Sequence, residues 1–231
     1  MNSPQLPLTL RFPADQRFAA FVGAGPAFDA VRAIAAGDSA DWLLLSGPSG
    51  VGKTHLLLAA IADASERGQR AAYLPLAHAR GHLRDLLAGQ EQAELLALDG
   101  LDAVAGERED EIALFDFHNR ARAAGTRVVY AARETAATLA LHLPDLRSRL
   151  AQCTQLALQP LDEAGRREVL RRRAQQRGLL LDEPVLDFLF RRVGRDLTSL
   201  TGLLERLDRA SLAAQRRITV PFLRALLGAG E

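Results

Sequence analysis

The stretch Gly47-Pro48-Ser49-Gly50-Val51-Gly52-Lys53-Thr54 decides the fold. It matches G-x-x-x-x-G-K-[ST], a pattern in which each residue type has a chemical reason. Glycines let backbone N–H groups close on a phosphate with no Cβ in the way. A helix starting near Lys53 turns the positive end of its dipole toward the anion. Lys53 reaches the β- and γ-phosphates as a compact cation, and Thr54 offers a hydroxyl to Mg²⁺. The expected ligand is a nucleoside di- or triphosphate held by Gly47, Pro48, Ser49, Gly50, Val51, Gly52, Lys53 and Thr54. His55 follows directly and packs or hydrogen-bonds beside them. The bland alternative is a glycine turn between a strand and a helix.

The neighbouring sequence favours the phosphate loop. Trp42–Leu45 is a continuous apolar run of the kind a buried parallel strand shows. After Thr54 the apolar period turns helical through Leu56, Leu57, Ala60, Ile61 and Ala64, and Gly68 stops the helix. Further strands are expected at Ala71–Leu76, Leu95–Leu98, Arg127–Ala131 and Gln155–Leu158. Helices are expected at His82–Leu87 and Asp110–Ala124, the latter with Ile112, Phe115 and Asn119 on one side. Alternating strands and helices predict an α/β fold, a parallel sheet sandwiched by helices. After Pro160 no strand pattern remains. Ala164–Arg177, Glu183–Val193, Leu197–Gln215 and Val220–Leu227 read as helices, with Asp182-Glu183-Pro184 and Thr219-Val220-Pro221 as start signals. The division expected is a tail over 1–11, a nucleotide-binding α/β domain over 12–160 and a small all-α domain over 161–231.

A phosphate loop needs an acid at the end of another strand to hold the Mg²⁺ shell. Leu95-Leu96-Ala97-Leu98-Asp99 supplies it, making Asp99 the Walker B aspartate. Thr54 and Asp99 are then the two residues near Mg²⁺, which arrives with the nucleotide. Composition sharpens the emphasis on Lys53. It is the only lysine in the chain, and the other 28 of the 29 Lys+Arg residues are arginine. An arginine- and alanine-rich bias accounts for the pattern but not for the exception.

The bulk numbers exclude other classes. A net charge of +1 gives no strong field for nucleic acid or an anionic membrane. No apolar run approaches the roughly 20 residues of a membrane span. Met1–Arg11 shows no basic region followed by an apolar stretch, and the one cysteine, Cys153, allows no internal disulfide. The expectation is a cytoplasmic protein with a buried Cys153 and no membrane contact. No metal-ligand clustering is visible. Arg166, Arg167 and Arg171–Arg173 alternate with Glu163 and Glu168, which reads as a solvated face rather than a nucleic-acid site.

Further motifs carry a resemblance. Gly52-Lys53-Thr54-His55-Leu56-Leu57, Phe115-Asp116-Phe117-His118-Asn119-Arg120 and Leu143-Pro144-Asp145-Leu146-Arg147-Ser148-Arg149-Leu150 resemble motifs of the AAA+ ATPases of the DnaA replication-initiator clade. The helices after residue 160 resemble the lid of that clade. Leu207–Gln215 through Pro221-Phe222 is similar to its regulatory inactivators. Initiators carry a further C-terminal helix-turn-helix domain for DNA, and none is expected here. Gln5-Leu6-Pro7-Leu8-Thr9-Leu10 resembles the peptide by which the inactivators dock on the sliding clamp. In that role Gln5 offers an amide, and Leu6, Leu8 and Leu10 offer apolar groups worth about 1.5–3 kcal/mol each when buried.

The resemblance implies ADP or ATP with Mg²⁺ as cofactor. It implies DnaA and the β-subunit sliding clamp of DNA polymerase III as partners, DNA reached through the clamp, and a homodimer as a compatible state. Arg149 matches the arginine finger of the clade, a guanidinium offered in trans to a neighbour's nucleotide. Arg147 competes for that assignment, and a surface salt bridge is the bland reading of Arg149.

Three positions depart from the clade. The acid that usually follows the Walker B aspartate is Gly100, and the next acid, Asp102, is expected to face elsewhere. The polar sensor after the fourth strand falls at Ala132, beside Arg133. The lid arginine falls at Thr198 in Asp196-Leu197-Thr198-Ser199-Leu200. These departures predict a chain that holds nucleotide and hydrolyses it poorly, with Phe18–Gly23 as the base-side wall. The function implied is regulatory inactivation of DnaA through hydrolysis of DnaA-bound ATP. The alternative kept open is an ATP-driven helicase loader or remodelling ATPase, and a weaker one is an interaction module without effect on hydrolysis.

Overall fold

The computed structural model describes residues 16–23, 25–192, 200, 202–204, 206–207 and 218–228. Strands β1 (Leu43–Ser46), β2 (Ala71–Pro75), β3 (Leu95–Asp99), β4 (Arg127–Ala131) and β5 (Thr154–Ala157) form one sheet in the order β2-β3-β4-β1-β5. Every pairing is parallel, with Leu45 opposite Ala131 and Leu156, and Asp99 opposite Ala131.

The apolar runs are continuous because both faces of the sheet are covered. Leu43, Leu45, Leu95, Ala97 and Val129 point to one side and join Val31 and Ile34 of helix α1 (Pro26–Ala36) and Leu56, Leu57 and Ile61 of helix α2 (Lys53–Glu66). Leu44, Leu96, Leu98, Val128 and Tyr130 point to the other side. There they meet Leu83 of α3 (Leu83–Leu87), Leu114 and Phe117 of α4 (Arg108–Ala124), and Leu146 and Leu150 of α5 (Pro144–Ala151). The period of two thus sorts one apolar string into two cores. β5 is one of the two edge strands and is mostly exposed.

A third cluster gathers the helices after residue 160. It joins Leu170 and Ala174 of α6 (Glu163–Gln176), Val185, Leu186 and Leu189 of α7 (Glu183–Arg192), and Leu223 of the last helix, Val220–Gly228. Each of these three helices starts on a side-chain cap. Asp162 Oδ1 accepts from Gly165 N–H at 2.7 Å, Asp182 Oδ1 from Val185 N–H at 3.1 Å, and Thr219 Oγ1 from Phe222 N–H at 3.4 Å. Most of the helix expected over Leu197–Gln215 lies outside the described residues, as does Thr198.

Two elements differ from expectation. Helix α1 is unanticipated. It starts at Pro26 after Gly25 and ends on Gly37 in the left-handed region, with a narrow stripe of Val31, Ile34 and Ala35. Helix α4 is rotated relative to its expected face. Ala113, Leu114, Phe117, His118 and Ala121 are buried, while Ile112, Phe115 and Asn119 are half-buried. The reason is that Asp110 and Glu111 are inside, as hydrogen-bond acceptors for loops. Asp110 accepts from Gly81 and Leu83 N–H, and Glu111 from Gly106, His142 and Leu143 N–H. Buried carboxylates need such donors.

Candidate nucleotide-binding site

The loop leaving β1 lies at the carboxyl ends of the strands, where open parallel sheets bind ligands. Its glycines are required by space. A Cβ on Gly47 (φ 144°) would stand 2.4 Å from the Leu158 carbonyl oxygen, and one on Gly52 (φ 103°) 2.9 Å from the Phe21 ring. Lys53 opens α2 and folds back over the loop, donating from Nζ to the carbonyls of Gly47 at 2.5 Å and Pro48 at 2.9 Å. Partial burial pulls its pKa down. Asp102 and Asp99 oppose that fall, and Arg133 adds to it.

Asp99 ends β3 and sits beside the loop. Its Oδ2 accepts from Thr54 Oγ1 at 2.6 Å and from Tyr73 O–H at 2.8 Å. Burial, then the Asp99 charge and hydrogen bond, push the Tyr73 hydroxyl well above the usual phenol range. A hydroxyl and a carboxylate in contact, next to a phosphate loop, are a donor set that fits a Mg²⁺ carried by a nucleotide. Among the described residues no group of three or more His, Cys, Asp or Glu side chains could hold a metal on its own.

A cavity of about 680 Å³ opens over these groups, within the range of small-molecule sites. Phe21 and Val22 form one side, Lys53 and Thr54 the floor, and Val169 and Arg173 of α6 the roof. Of the wall expected at Phe18–Gly23, Ala20, Phe21 and Val22 line the cavity. Phe21 stacks on Phe28 with centroids 5.6 Å apart and meets His55 edge-on at 5.3 Å. His55 Nε2 lies 2.9 Å from the Arg17 carbonyl. From the lid side, Arg172 donates to the carbonyls of Ala19 at 3.4 Å and Phe21 at 3.3 Å.

One expectation is corrected here. Asp102 does not face elsewhere: it lines the cavity, and both its oxygens accept the Arg133 N–H at 2.9 and 3.0 Å. The short helical turn at Leu101–Ala103, entered through Gly100 at φ 85°, swings Asp102 back over the site. Ala132 is fully buried and Gly100 carries no side chain, so neither position supplies a polar group. Sequence reading missed Asp102, Arg133 and Arg173 as cavity residues, and Tyr73 as the partner of Asp99. Nothing in their spacing relates them to the loop.

Arg149 lies away from these contacts on the exposed face of α5. Its guanidinium has no salt bridge or hydrogen bond among the described residues, whereas Arg147 donates from Nη2 to the Leu141 carbonyl at 2.6 Å. Three of the five arginines of the basic stretch on α6 are paired with acids, and Arg173 lines the cavity. Arg167 pairs with Glu163, Glu183 and Asp187, Arg171 with Glu168 and Glu183, and Arg172 with Glu168. Cys153 is buried, which raises its thiol pKa to about 11. The tail residues Gln5, Leu6, Leu8 and Leu10 lie outside the described residues. Among the described residues no helix is long and apolar enough to cross a membrane.

Residues 162–227 match the lid domain of Hda. Domain III of the replication initiation protein DnaA of Thermotoga maritima superposes with a TM-score of 0.78 at 22% identity, covering 94% of this chain and 98% of that one. The replication initiator DnaA bound to AMPPCP and single-stranded DNA matches with a TM-score of 0.69 at 19% identity, over 89% and 70% of the two chains. The RuvB Holliday junction branch migration motor of Thermotoga maritima matches at 0.67 and 16% identity, over 93% and 72%. At these identities the structural likeness is one of fold. The chain thus has the fold of DnaA domain III, and its residues 162–227 are similar to the lid domain of Hda.

Proposed function

We propose that this protein is a regulatory inactivator of DnaA that holds a nucleotide at Gly47–Thr54 and offers Arg149 to the ATP bound by DnaA. The observation that carries the reading is the contrast on α5. Arg147 is spent on the Leu141 carbonyl, while Arg149, two residues on, is exposed with no protein partner among the described residues. A guanidinium left in that state on a DnaA-like fold is suited to a neighbour's phosphate. The fit for ADP or ATP is supported by the glycine cradle and by Lys53, with Thr54 and Asp99 placed for Mg²⁺. A DnaA of this fold is described with AMPPCP bound.

In this reading the resident nucleotide supplies charge and shape. The chain's own residues do the rest. The loop amides and Lys53 hold the phosphates, the Phe21 wall and Val169 enclose the base end, and α5 presents Arg149 outward. Arginine fingers are worth about 10³–10⁵ in rate, or about 4–7 kcal/mol of barrier. Gln5, Leu6, Leu8 and Leu10 dock on the DNA-loaded clamp. This brings Arg149 to DnaA on DNA at raised local concentration. The domain division is a clamp-binding tail over 1–11, the AAA+ domain over 12–160 and the lid over 161–231.

The second reading is an ATP-driven loader, and one observation favours it: Asp102 brings a second carboxylate into the cavity. One reconstitution separates the two. Hydrolysis of DnaA–ATP is followed on clamp-loaded DNA with the wild-type protein and with a Gln5→Ala/Leu6→Ala variant, beside the ATPase of the protein alone. The inactivator reading expects stimulation that the tail variant loses and little turnover by the protein alone. Robust turnover alone, without stimulation of DnaA, would establish the loader reading instead.

A further inference from the structure

Arg133 is held by its backbone at the mouth of the phosphate loop. Its N–H donates to both oxygens of Asp102, just past β3, and its carbonyl accepts from the N–H of Gly47, the first residue of the loop, at 3.1 Å. The root of the side chain is therefore fixed between the two segments that define the site. The side chain is exposed and lines the cavity. Among the described residues its guanidinium makes no hydrogen bond or salt bridge.

Neither acid nearby takes it. Asp99 is committed to Thr54 and Tyr73, and Asp102 to the Arg133 backbone. Among the described residues no salt bridge joins Lys53 or Arg133 to either acid. Lys53 and Arg133 are close enough that the guanidinium depresses the lysine pKa. Two cations brought together by a rigid backbone are stabilised by an anion of high charge, and a planar guanidinium adds paired donors to it.

We infer that Arg133 is a second phosphate-binding cation, contacting the terminal phosphate of the bound nucleoside di- or triphosphate where a neutral sensor side chain is absent at Ala132. This rests on the nucleotide site proposed above and adds to it. A permanent charge tied to the loop at Gly47 strengthens the hold on the phosphates of substrate and product alike. It suits a site that retains its nucleotide.

The test measures the ADP dissociation constant of the full chain as wild type, Lys53→Ala, Arg133→Ala and Arg133→Lys, with the melting temperature of each without nucleotide. Loss of one charge-assisted contact raises the constant about ten- to a hundred-fold in Arg133→Ala. Arg133→Lys falls between that variant and wild type. Without nucleotide, Arg133→Ala melts within about 2 °C of wild type, because the guanidinium has no protein partner to lose. ADP binding by Arg133→Ala within about twofold of wild type would overturn the inference. So would a fall of more than about 5 °C in its nucleotide-free melting temperature, which marks a structural role. If the wild type does not bind ADP at all, the nucleotide site itself fails. If the wild type binds and only Lys53→Ala does not, the site stands and Arg133 is removed from it.

Discussion

The carboxylate of Glu111 on α4 accepts the Leu143 N–H at 2.7 Å, immediately ahead of the helix that carries Arg149. The same carboxylate takes the His142 N–H at 2.9 and 3.0 Å and the Gly106 N–H at 2.7 Å. One fully buried side chain thus anchors the start of α5. Glu111→Ala leaves three N–H groups without an acceptor and is expected to lower stability by about 3 kcal/mol or more. Glu111→Gln, which keeps one acceptor oxygen, should cost less. Urea unfolding monitored by circular dichroism measures both. Hydrogen exchange should show faster opening at residues 142–150 than in the rest of the domain.

Gly47 tests the loop by steric means. Its φ of 144° and the Leu158 carbonyl 2.4 Å from a would-be Cβ leave no room for a side chain. Gly47→Ala is expected to cost about 2–3 kcal/mol or more. Gly68→Ala, at φ 78° with nothing within 4 Å, meets the backbone penalty without the clash and should cost about 1 kcal/mol. Thermal melts of the two variants give the comparison.

Magnesium should couple to nucleotide through Asp99. Calorimetric titration of ADP into wild-type protein is expected to weaken about tenfold or more when EDTA replaces Mg²⁺. Asp99→Asn should bind ADP with little difference between the two conditions. Lys53→Ala should lose measurable binding in both. An EDTA effect that survives in Asp99→Asn would remove that residue from the metal shell.

His118 makes stability depend on pH. It packs between Trp42 and Tyr130, with Nδ1 3.1 Å from the Tyr130 hydroxyl. Burial, with the charges of Arg122 and Arg149 adding to it, lowers its pKa from 6.5 to about 4. The unfolded chain therefore binds a proton between about pH 6.5 and 4 that the folded chain does not. Its contribution is complete above pH 6.5 and is lost as the pH falls toward 4. That loss is about 2 kcal/mol after allowance for solvent screening. In His118→Phe the part of the slope that belongs to this group should vanish from unfolding curves measured across that window.

Local chemistry made the phosphate loop legible, because its residues are contiguous and each has one chemical purpose. The strands were legible for a related reason: with both faces covered, Leu43–Leu45 and Leu95–Leu98 have no polar positions to confuse the reading. Helix α1 escaped because its buried stripe is only Val31, Ile34 and Ala35, set among alanines that carry no period. The face of α4 was misplaced because Asp110, Glu111 and His118 are polar yet inside, the first two met by loops distant in sequence and His118 by the Tyr130 hydroxyl on β4. The site beyond the loop was opaque for the same physical reason. Tyr73 comes from the middle of β2 and Asp102 and Arg133 from just past β3 and β4, and only the parallel register brings them to Lys53 and Asp99.

Arg149 carries the central claim, and its neighbour on α5 is the control. The most direct measurement is the rate of DnaA–ATP hydrolysis on clamp-loaded DNA with wild type, Arg149→Ala and Arg147→Ala at equal concentration. Arg149→Ala is expected to lose about 10³-fold or more of the stimulation while still binding ADP and the clamp as wild type does. Arg147→Ala should keep stimulation within about tenfold, the cost of loosening one backbone contact. Full stimulation by Arg149→Ala, or loss confined to Arg147→Ala, would contradict the assignment of Arg149 as the group that acts on the DnaA-bound nucleotide.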